Sequence, residues 1–315
     1  MTPLRDRPRL GAGLAFNTTE PGEGQLPARL GLTVRTLRLA TGLVLFAFVT
    51  THFLNHALGL ISLETTEAGR RWFLALWRNP VGTAALYGSL ITHAILGLQA
   101  LWLRRTLRMP PGEAVQLALG LCVPPLLVYH VTGTRLAHEL YGVEDAYGRV
   151  TLTLWALAPL LGLRQLVLVT IVWIHGCIGM HTWLRLRSWY ARVAPLFLVV
   201  SVLLPVVAAL GFVNAGRTAA VRARDPGELQ RVLWSGRPPL TPAERAVLES
   251  IPRAAIATYA TALLLVVATR GVRNLRARRG GVIRVGYPNG RSVEIAPGLT
   301  VLEASRIAGI PHASV

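Results

Sequence analysis

The chain alternates long apolar stretches with short polar connections that are rich in arginine. Six stretches are apolar over about 20 residues, the length that a transmembrane helix needs. They lie at about 36–60, 80–103, 113–134, 164–184, 191–213 and 254–270. A shorter apolar run at 150–161 ends at a proline and predicts an interfacial helix before the fourth span. The pattern therefore predicts an all-α membrane protein with six transmembrane helices.

Arginine clusters mark one side of these spans. They precede the first span and follow the second, fourth and sixth, so the positive-inside rule places these ends and both termini in the cytoplasm. The loop 214–253 is then extracytoplasmic, and its seven arginines are a weak signal because long loops translocate regardless of charge. Thr241, Pro242 and Glu244 predict a capping box and a short helix in this loop. The expected location is the bacterial inner membrane.

Beyond Gly281 the pattern changes to strand-like alternation. "VIRVGYPNGRSVEIAPG" alternates around Asn289-Gly290, a strong hairpin signal. "TVLEASRIAG" follows, with Thr300 as the helix N-cap. Residues 281–315 therefore predict a soluble ββα unit that ends before it could bury a core. The chain divides into three parts: a polar cytoplasmic N-terminus without a cleaved signal, a six-span domain and this unit, at 1–33, 34–273 and 281–315.

The amino-acid composition limits the kinds of binding partner that the protein could have. A mean hydropathy of +0.46 fits a membrane protein, for which lipid is the surrounding partner. The net charge is +18 and every basic residue is arginine, but arginines do not interleave with aromatic residues in a stripe. No nucleic-acid partner is predicted. Cys122 and Cys177 both fall in apolar runs and predict small packing residues rather than reactive thiols.

Histidines are concentrated in the first four spans, where ionisable groups are costly and mark functional sites. "LATGLVLFAFVTTH" and "LALGLCVPPLLVYH" both place a histidine ten residues after a glycine, giving His52 and His130. "HAILG" and "HGCIG" both place a glycine four residues after a histidine, giving His93 and His175. Spans one and two therefore repeat as spans three and four, with one histidine on each helix.

Four histidines from four helices predict two facing pairs, as in a helix bundle that holds two bis-histidine haems. Depth along the helices pairs His93 with His175 near mid-membrane, and His52 with His130 nearer the outer face. Zinc fits less well, because its sites favour clustered ligands that converge on one ion. Glycines close to the ligands are expected to give a porphyrin room, and they are Gly42, Gly97, Gly120, Gly176 and Gly179.

Other polar residues near these positions leave alternatives open. His56 lies one turn beyond His52, so it could bond a haem propionate or line a quinone pocket. His181 lies on a different face from His175 and is structural or propionate-side. Arg185 and Arg187 follow the fourth span and could pair with propionates, although the positive-inside rule explains them equally well.

The quoted motifs resemble the dihaem cytochrome b subunit of succinate:quinone and fumarate reductases over about residues 34–190. That family carries one haem-ligating histidine on each of its first four spans. The resemblance implies two haem b groups, with His52, His93, His130 and His175 as axial ligands.

Two features depart from that family: the sixth span, and the unit after Gly281, which resembles the opening of a plant-type [2Fe–2S] ferredoxin domain of β-grasp fold. The combination resembles the N-terminal half of rhizobial-type class III adenylate cyclases. It implies a redox-sensing membrane input to a cyclase that would dimerise through its catalytic domain. No cluster cysteine and no cyclase residue is present in the 315 residues, so a [2Fe–2S] cluster is expected only in a longer chain and this chain by itself is not expected to be catalytic. The alternatives are a respiratory membrane anchor and a haem-free anchor or receptor.

Overall fold

The structure, a computed structural model, describes residues 25–234, 238–287, 290–295 and 297–310. It contains a helical membrane part followed by a small ββα unit. The helices are α1 (Gln25–Ala57), α2 (Leu63–Trp77), α3 (Pro80–Leu103), α4 (Pro111–Val131), α5 (Ala137–Tyr141), α6 (Tyr147–Leu152), α7 (Pro159–Leu184), α8 (Tyr190–Arg222), α9 (Pro226–Trp234), α10 (Pro242–Arg279) and α11 (Val301–Ile307). The strands are β1 (Ile283–Gly286) and β2 (Ser292–Ile295).

Six helical segments are long and apolar enough to cross a membrane, as the sequence predicts. They are Thr33–Leu60, Pro80–Leu103, Pro111–Tyr141, Pro159–Leu184, Tyr190–Arg222 and Pro242–Ala277. The third continues past α4 through a π-helical turn, Thr132–Leu136, into α5. The predicted interfacial helix is present as α6 and a second π-helical segment, Thr153–Leu157. This is the architecture of a multi-pass membrane protein.

Three helix ends differ from the prediction. The capping box at Thr241 does not start a separate short helix but α10, which runs for 38 residues through Pro252. Helix α8 continues to Arg222, and α1 already begins at Gln25, inside the segment expected to be a polar N-terminus. Apolarity marks the lipid-facing length, whereas caps and local propensity set where a helix ends. Residues 1–24 lie outside the described residues.

The bundle has two chemically different ends. We call the end where α3, α7 and α10 finish the arginine-rich end, and the opposite one, which α2 covers, the α2 end. At the α2 end, Glu67 accepts a hydrogen bond of 2.8 Å from the backbone N–H of Tyr147. Arg222, at the end of α8, pairs with Glu64 at 2.6 Å. These contacts join α2 to the later connections.

Helix α8 packs closely against the end of α1. A Cβ on Gly59 would meet the backbone of Gly211, and one on Gly211 would meet the carbonyl oxygen of His56. Below this contact, Phe53, Trp173 and Ala208 form a buried apolar cluster that joins α1, α7 and α8. The close approach of the two backbones therefore depends on both glycines.

At the arginine-rich end, α10 binds the last carbonyls of α3 and the residues after it. Arg270 donates to the carbonyl of Arg104 at 2.7 Å, and Asn274 donates to the carbonyl of Arg105 at 3.1 Å. Arg273 donates to the carbonyl of Trp102 and stacks over its indole. We call these three side chains of α10 the α10 clamp.

The ββα unit forms as predicted. Strands β1 and β2 pair antiparallel, with Gly286 opposite Ser292, and Gly290 adopts the left-handed conformation of a tight turn, with φ +78°. Thr300 and Glu303 form the expected capping box of α11. Asn289 and residues 311–315 lie outside the described residues. The unit touches the membrane part where Arg105 lies against Gly298.

We expect Gly211→Ala to lower stability by about 1–3 kcal/mol, because the added methyl meets main-chain atoms that cannot move aside. Gly88→Ala, in the middle of α3, is the matched control, since nothing lies within 4 Å of its Cβ position. That change should be neutral or stabilising by less than about 1 kcal/mol. Thermal unfolding of both variants in the same detergent tests the contact, and equal melting points would contradict it.

Candidate functional site

A cavity of about 870 Å³ runs through the bundle between α1, α3, α4 and α7. Its size is near the upper limit of about 300–1,000 Å³ for small-molecule sites. Its wall is mostly apolar, formed by leucine, valine and phenylalanine side chains. The polar groups that line it include His52, His93, His130 and His175. The four predicted ligand positions therefore face one common space.

The structure brings the four histidines together as the two expected pairs. The ring centroids of His93 and His175 lie 6.3 Å apart, with the ring planes nearly perpendicular at 85°. Those of His52 and His130 lie 5.9 Å apart, at 68°. The first pair lies toward the arginine-rich end and the second toward the α2 end. We call them the proximal pair and the distal pair.

Each ring of the proximal pair is held by a hydrogen bond to a main-chain carbonyl, and His93 Nδ1 also lies 3.3 Å from the hydroxyl of Thr41. His93 Nδ1 lies 3.2 Å from the carbonyl oxygen of Arg38, and His175 Nδ1 lies 2.9 Å from that of Gln116. A carbonyl oxygen only accepts, so each Nδ1 carries the proton and each Nε2 keeps its lone pair. Such a bond at the second nitrogen orients a histidine as a metal ligand.

Two of the predicted glycines make these hydrogen bonds possible. A Cβ on Gly42 would lie 3.1 Å from His93 Cε1, and one on Gly120 would lie 2.7 Å from His175 Cε1. These glycines therefore give room to the imidazoles themselves, rather than only to a porphyrin. Arg38 and Gln116 each stand four residues before the glycine, so the repeat extends to the acceptor carbonyl.

The remaining three glycines differ among themselves. Gly97 has nothing within 4 Å of its Cβ position and borders the cavity. Gly176 packs against the ring of Phe46, and Gly179 against the amide of Gln116. Only Gly97 thus leaves space on the cavity side.

The distal pair has a different surrounding. His56 Nε2 lies 3.1 Å from His52 Nε2, and His56 Nδ1 lies 2.5 Å from the hydroxyl of Tyr147. Burial raises the pKa of Tyr147, which keeps this phenol neutral. Gln165 lies beside His130. His52 Nδ1 is buried without a hydrogen-bond partner among the described residues.

An ion-pair network closes the α2 end of the cavity. Asp145 pairs with Arg78 and, at 3.1 Å, with Arg70, which also binds Glu67. Burial works against ionisation of Asp145, but the Arg78 hydrogen bond and the charges of Arg78 and Arg70 hold the pKa of its carboxyl below the ordinary value. Asp145 is therefore a carboxylate at neutral pH.

The other predicted residues lie away from the cavity wall. Arg185 and Arg187 are exposed, and His181 is hydrogen-bonded to the hydroxyl of Tyr190 at 2.9 Å. Cys177 packs against the cluster of Phe53, Trp173 and Ala208, as expected for a small packing residue. Cys122 is exposed on the surface of α4.

Sequence reasoning missed several residues at the site. Arg38 and Gln116 could have been found, because both directly precede the repeated L-A-x-G-L motif. Tyr147 and Gln165 carry no such signal, since they come from parts of the chain that the repeat does not cover. Arg35 and Arg104 line the cavity but appear in the sequence as ordinary flanking charges.

Comparisons with known proteins found no match: no family model, no curated protein and no solved structure is similar to this chain at a significant level. Within the described residues, no group of three or more His, Cys, Asp or Glu side chains could hold a metal ion by itself. A metal between two paired histidines would therefore need further donors besides these described side chains.

We expect Asp145→Asn to lower stability by about 2–4 kcal/mol at pH 7, because Arg70 and Arg78 lose a largely buried carboxylate. A carboxyl whose pKa is lower in the folded than in the unfolded protein stabilises the fold at pH values above its unfolded-state pKa. That contribution disappears as the pH falls through its folded-state pKa. The difference between variant and wild type should therefore shrink below about pH 4. Thermal unfolding as a function of pH measures it.

Glu249→Gln is the control, since its ion pair with Arg253 is largely exposed on both sides. That change should alter stability by less than about 1 kcal/mol at any pH. A pH-independent effect of Asp145→Asn would contradict the assignment of a charged Asp145.

Proposed function

We propose that the chain is a membrane-embedded, two-haem b-type cytochrome module that carries electrons between the two ends of its helix bundle. The observation that supports it most is the proximal pair. Two imidazoles from a repeated pair of helices each donate Nδ1 to an equivalent carbonyl, at Arg38 and Gln116. This leaves both Nε2 atoms free, the state that axial ligation requires.

The spacing of the rings fits a metal between them. Metal–imidazole bonds are about 2.0–2.1 Å long, and a ring centroid lies about 1.1 Å from its nitrogen, so two axial rings should have centroids about 6.2 Å apart. The proximal pair lies at 6.3 Å and the distal pair at 5.9 Å. Two imidazoles that were hydrogen-bonded directly to each other would have their ring nitrogens closer together than two imidazoles that bind the same metal.

The apolar wall argues for a macrocyclic metal complex rather than a bare ion. Two histidines supply only the axial donors, and the walls around them are largely leucine, valine and phenylalanine. A porphyrin brings its own four equatorial nitrogens and needs a flat apolar slot. When bound, haem supplies reversible one-electron chemistry.

The chain's own residues perform the remaining tasks. The carbonyls of Arg38 and Gln116 orient His93 and His175, which would hold the proximal haem, and the hydrogen bonds at Nδ1 would increase the basicity of Nε2. At the distal pair, His52 and His130 would hold the second haem, and His52 Nε2 lies 3.1 Å from His56 Nε2. His56 remains bonded to Tyr147 and stays beside the site, where a propionate or a quinone would meet it.

The proximal and distal pairs lie at different depths along the helix bundle. Gly42, beside His93, and His52 are ten residues apart on α1, which corresponds to about 15 Å along the helix. The hydrocarbon layer is about 30 Å thick, so two sites at this spacing would carry electrons across about half of it. This favours a transmembrane electron-transfer role over storage of a single electron.

We further propose that the module is the redox-sensing input of a class III adenylate cyclase. This partner rests on the sequence resemblance, and one contact favours it over a respiratory anchor with separate soluble subunits. The ββα unit follows α10 directly and lies against the α3–α4 connection, where Arg105 meets Gly298. A soluble domain attached there would lie near the proximal pair.

We expect purified protein, expressed with haem, to contain two b haems per chain by pyridine haemochrome assay. His93→Ala or His175→Ala should each reduce the content to about one, and His52→Ala or His130→Ala should remove the other. His56→Ala is the matched control on the same helix face and should retain two. Protein without a Soret band would refute the proposal, and loss of haem in His56→Ala would reassign the distal ligand.

We expect Gly120→Ala to impair the proximal site alone, because its methyl would displace the His175 ring from the Gln116 carbonyl. The proximal haem content should fall severalfold, while the distal haem stays. Gly88→Ala is the matched control, since its Cβ position is open and it is not among the residues that line the cavity. Equal haem content and equal spectra in the two variants would contradict the role given to Gly120.

A further inference from the structure

Three arginines line the cavity at the arginine-rich end, beside the proximal pair. They are Arg35, Arg38 and Arg104. We propose that these three side chains form a carboxylate-binding site for the two propionates of the proximal cofactor, in place of Arg185 and Arg187. The proposal rests on the haem function proposed above.

The positive charge at this end of the cavity exceeds the negative charge of the carboxylates that line it. Arg104 pairs with Glu113 at 2.9 Å, and Glu113 also lines the cavity. Arg35 and Arg38 have no carboxylate partner among the described residues, and the charged groups that act most strongly on Arg38 are Arg104 and Arg35. Three positive charges against one negative leave a surplus of two, which equals the charge of two propionates.

The opposite end of the cavity shows that this surplus is specific to one site. Arg70, Arg78 and Arg135 line the cavity toward the α2 end, and each has a carboxylate of the chain as its partner. Like charges inside a membrane protein are costly unless they are paired. A ligand with two carboxylates would supply the missing partners at the arginine-rich end.

The arginines of this site also lie close to the proximal pair. The carbonyl of Arg38 accepts the hydrogen bond of His93, so the Arg38 side chain starts at the level of the axial ring. Arg104 is held in place from two sides, by Glu113 and by the α10 clamp on its carbonyl. Arg35 is exposed, as Arg185 and Arg187 are, but it lines the cavity together with Arg38 and Arg104, whereas Arg185 and Arg187 do not.

The test compares haem with haem dimethyl ester, in which both propionates are esterified. Apoprotein in a His130→Ala background, which leaves only the proximal site, is titrated in nanodiscs of zwitterionic lipid. We expect haem to bind at least about tenfold more tightly than the diester, because charge-assisted hydrogen bonds are lost on esterification. Arg38→Gln should reduce this preference severalfold, while Arg38→Lys keeps most of it because the charge remains.

Arg185→Gln is the matched control and should leave the preference unchanged. Equal affinity of the wild-type site for haem and diester would overturn the inference but not the haem function. A uniform loss for both ligands in Arg38→Gln would also overturn it, by showing a merely structural role. Disappearance of the preference in nanodiscs of anionic lipid would show that the arginines bind lipid phosphate instead. Failure of the site to bind either porphyrin would refute the proposed function itself.

Discussion

An imidazole N–H placed among apolar helices must find an acceptor, and this requirement organises the bundle. The acceptors nearest to His93 and His175 are main-chain carbonyls, whose second lone pair is available even inside a helix. An imidazole can reach such a carbonyl only where the neighbouring helix has no side chain in the way, so Gly42 and Gly120 are required. The hydrogen bond therefore fixes the distance and register of α3 against α1 and of α7 against α4.

The repeated arrangement produces two histidine pairs that line the same cavity but differ in their surroundings. The proximal pair is bonded to two main-chain carbonyls and to the hydroxyl of Thr41, whereas the distal pair is surrounded by His56, Tyr147 and Gln165. The two ends of the cavity also differ, with balanced ion pairs at one and surplus arginine at the other. The same arrangement of two helices occurs twice in the chain and gives two different electrostatic environments. Directional electron transfer through the bundle would need such a difference.

The sequence was sufficient for the features that depend on local pattern. The six spans, the two histidine pairs and the ββα order follow from apolar length, repeated spacing and turn residues. Interactions between distant parts of the chain were not predictable, because Tyr147 reaches His56 from another connection. The length of α10 was missed for another reason: hydropathy reports lipid contact, whereas the helix continues as long as its backbone hydrogen bonds do.

The α10 clamp has a mechanical consequence. The carbonyls at the C-terminal end of a helix carry partial negative charge and are ordinarily left to solvent or to a local cap. Here Arg270, Arg273 and Asn274 of α10 donate hydrogen bonds to the carbonyls at the end of α3 and in the turn that follows it. Helix α3 carries His93, and α10 leads through Gly280 and Gly281 into the ββα unit. A displacement of α3 along its axis would therefore move α10 with it and would reach the ββα unit through these two glycines.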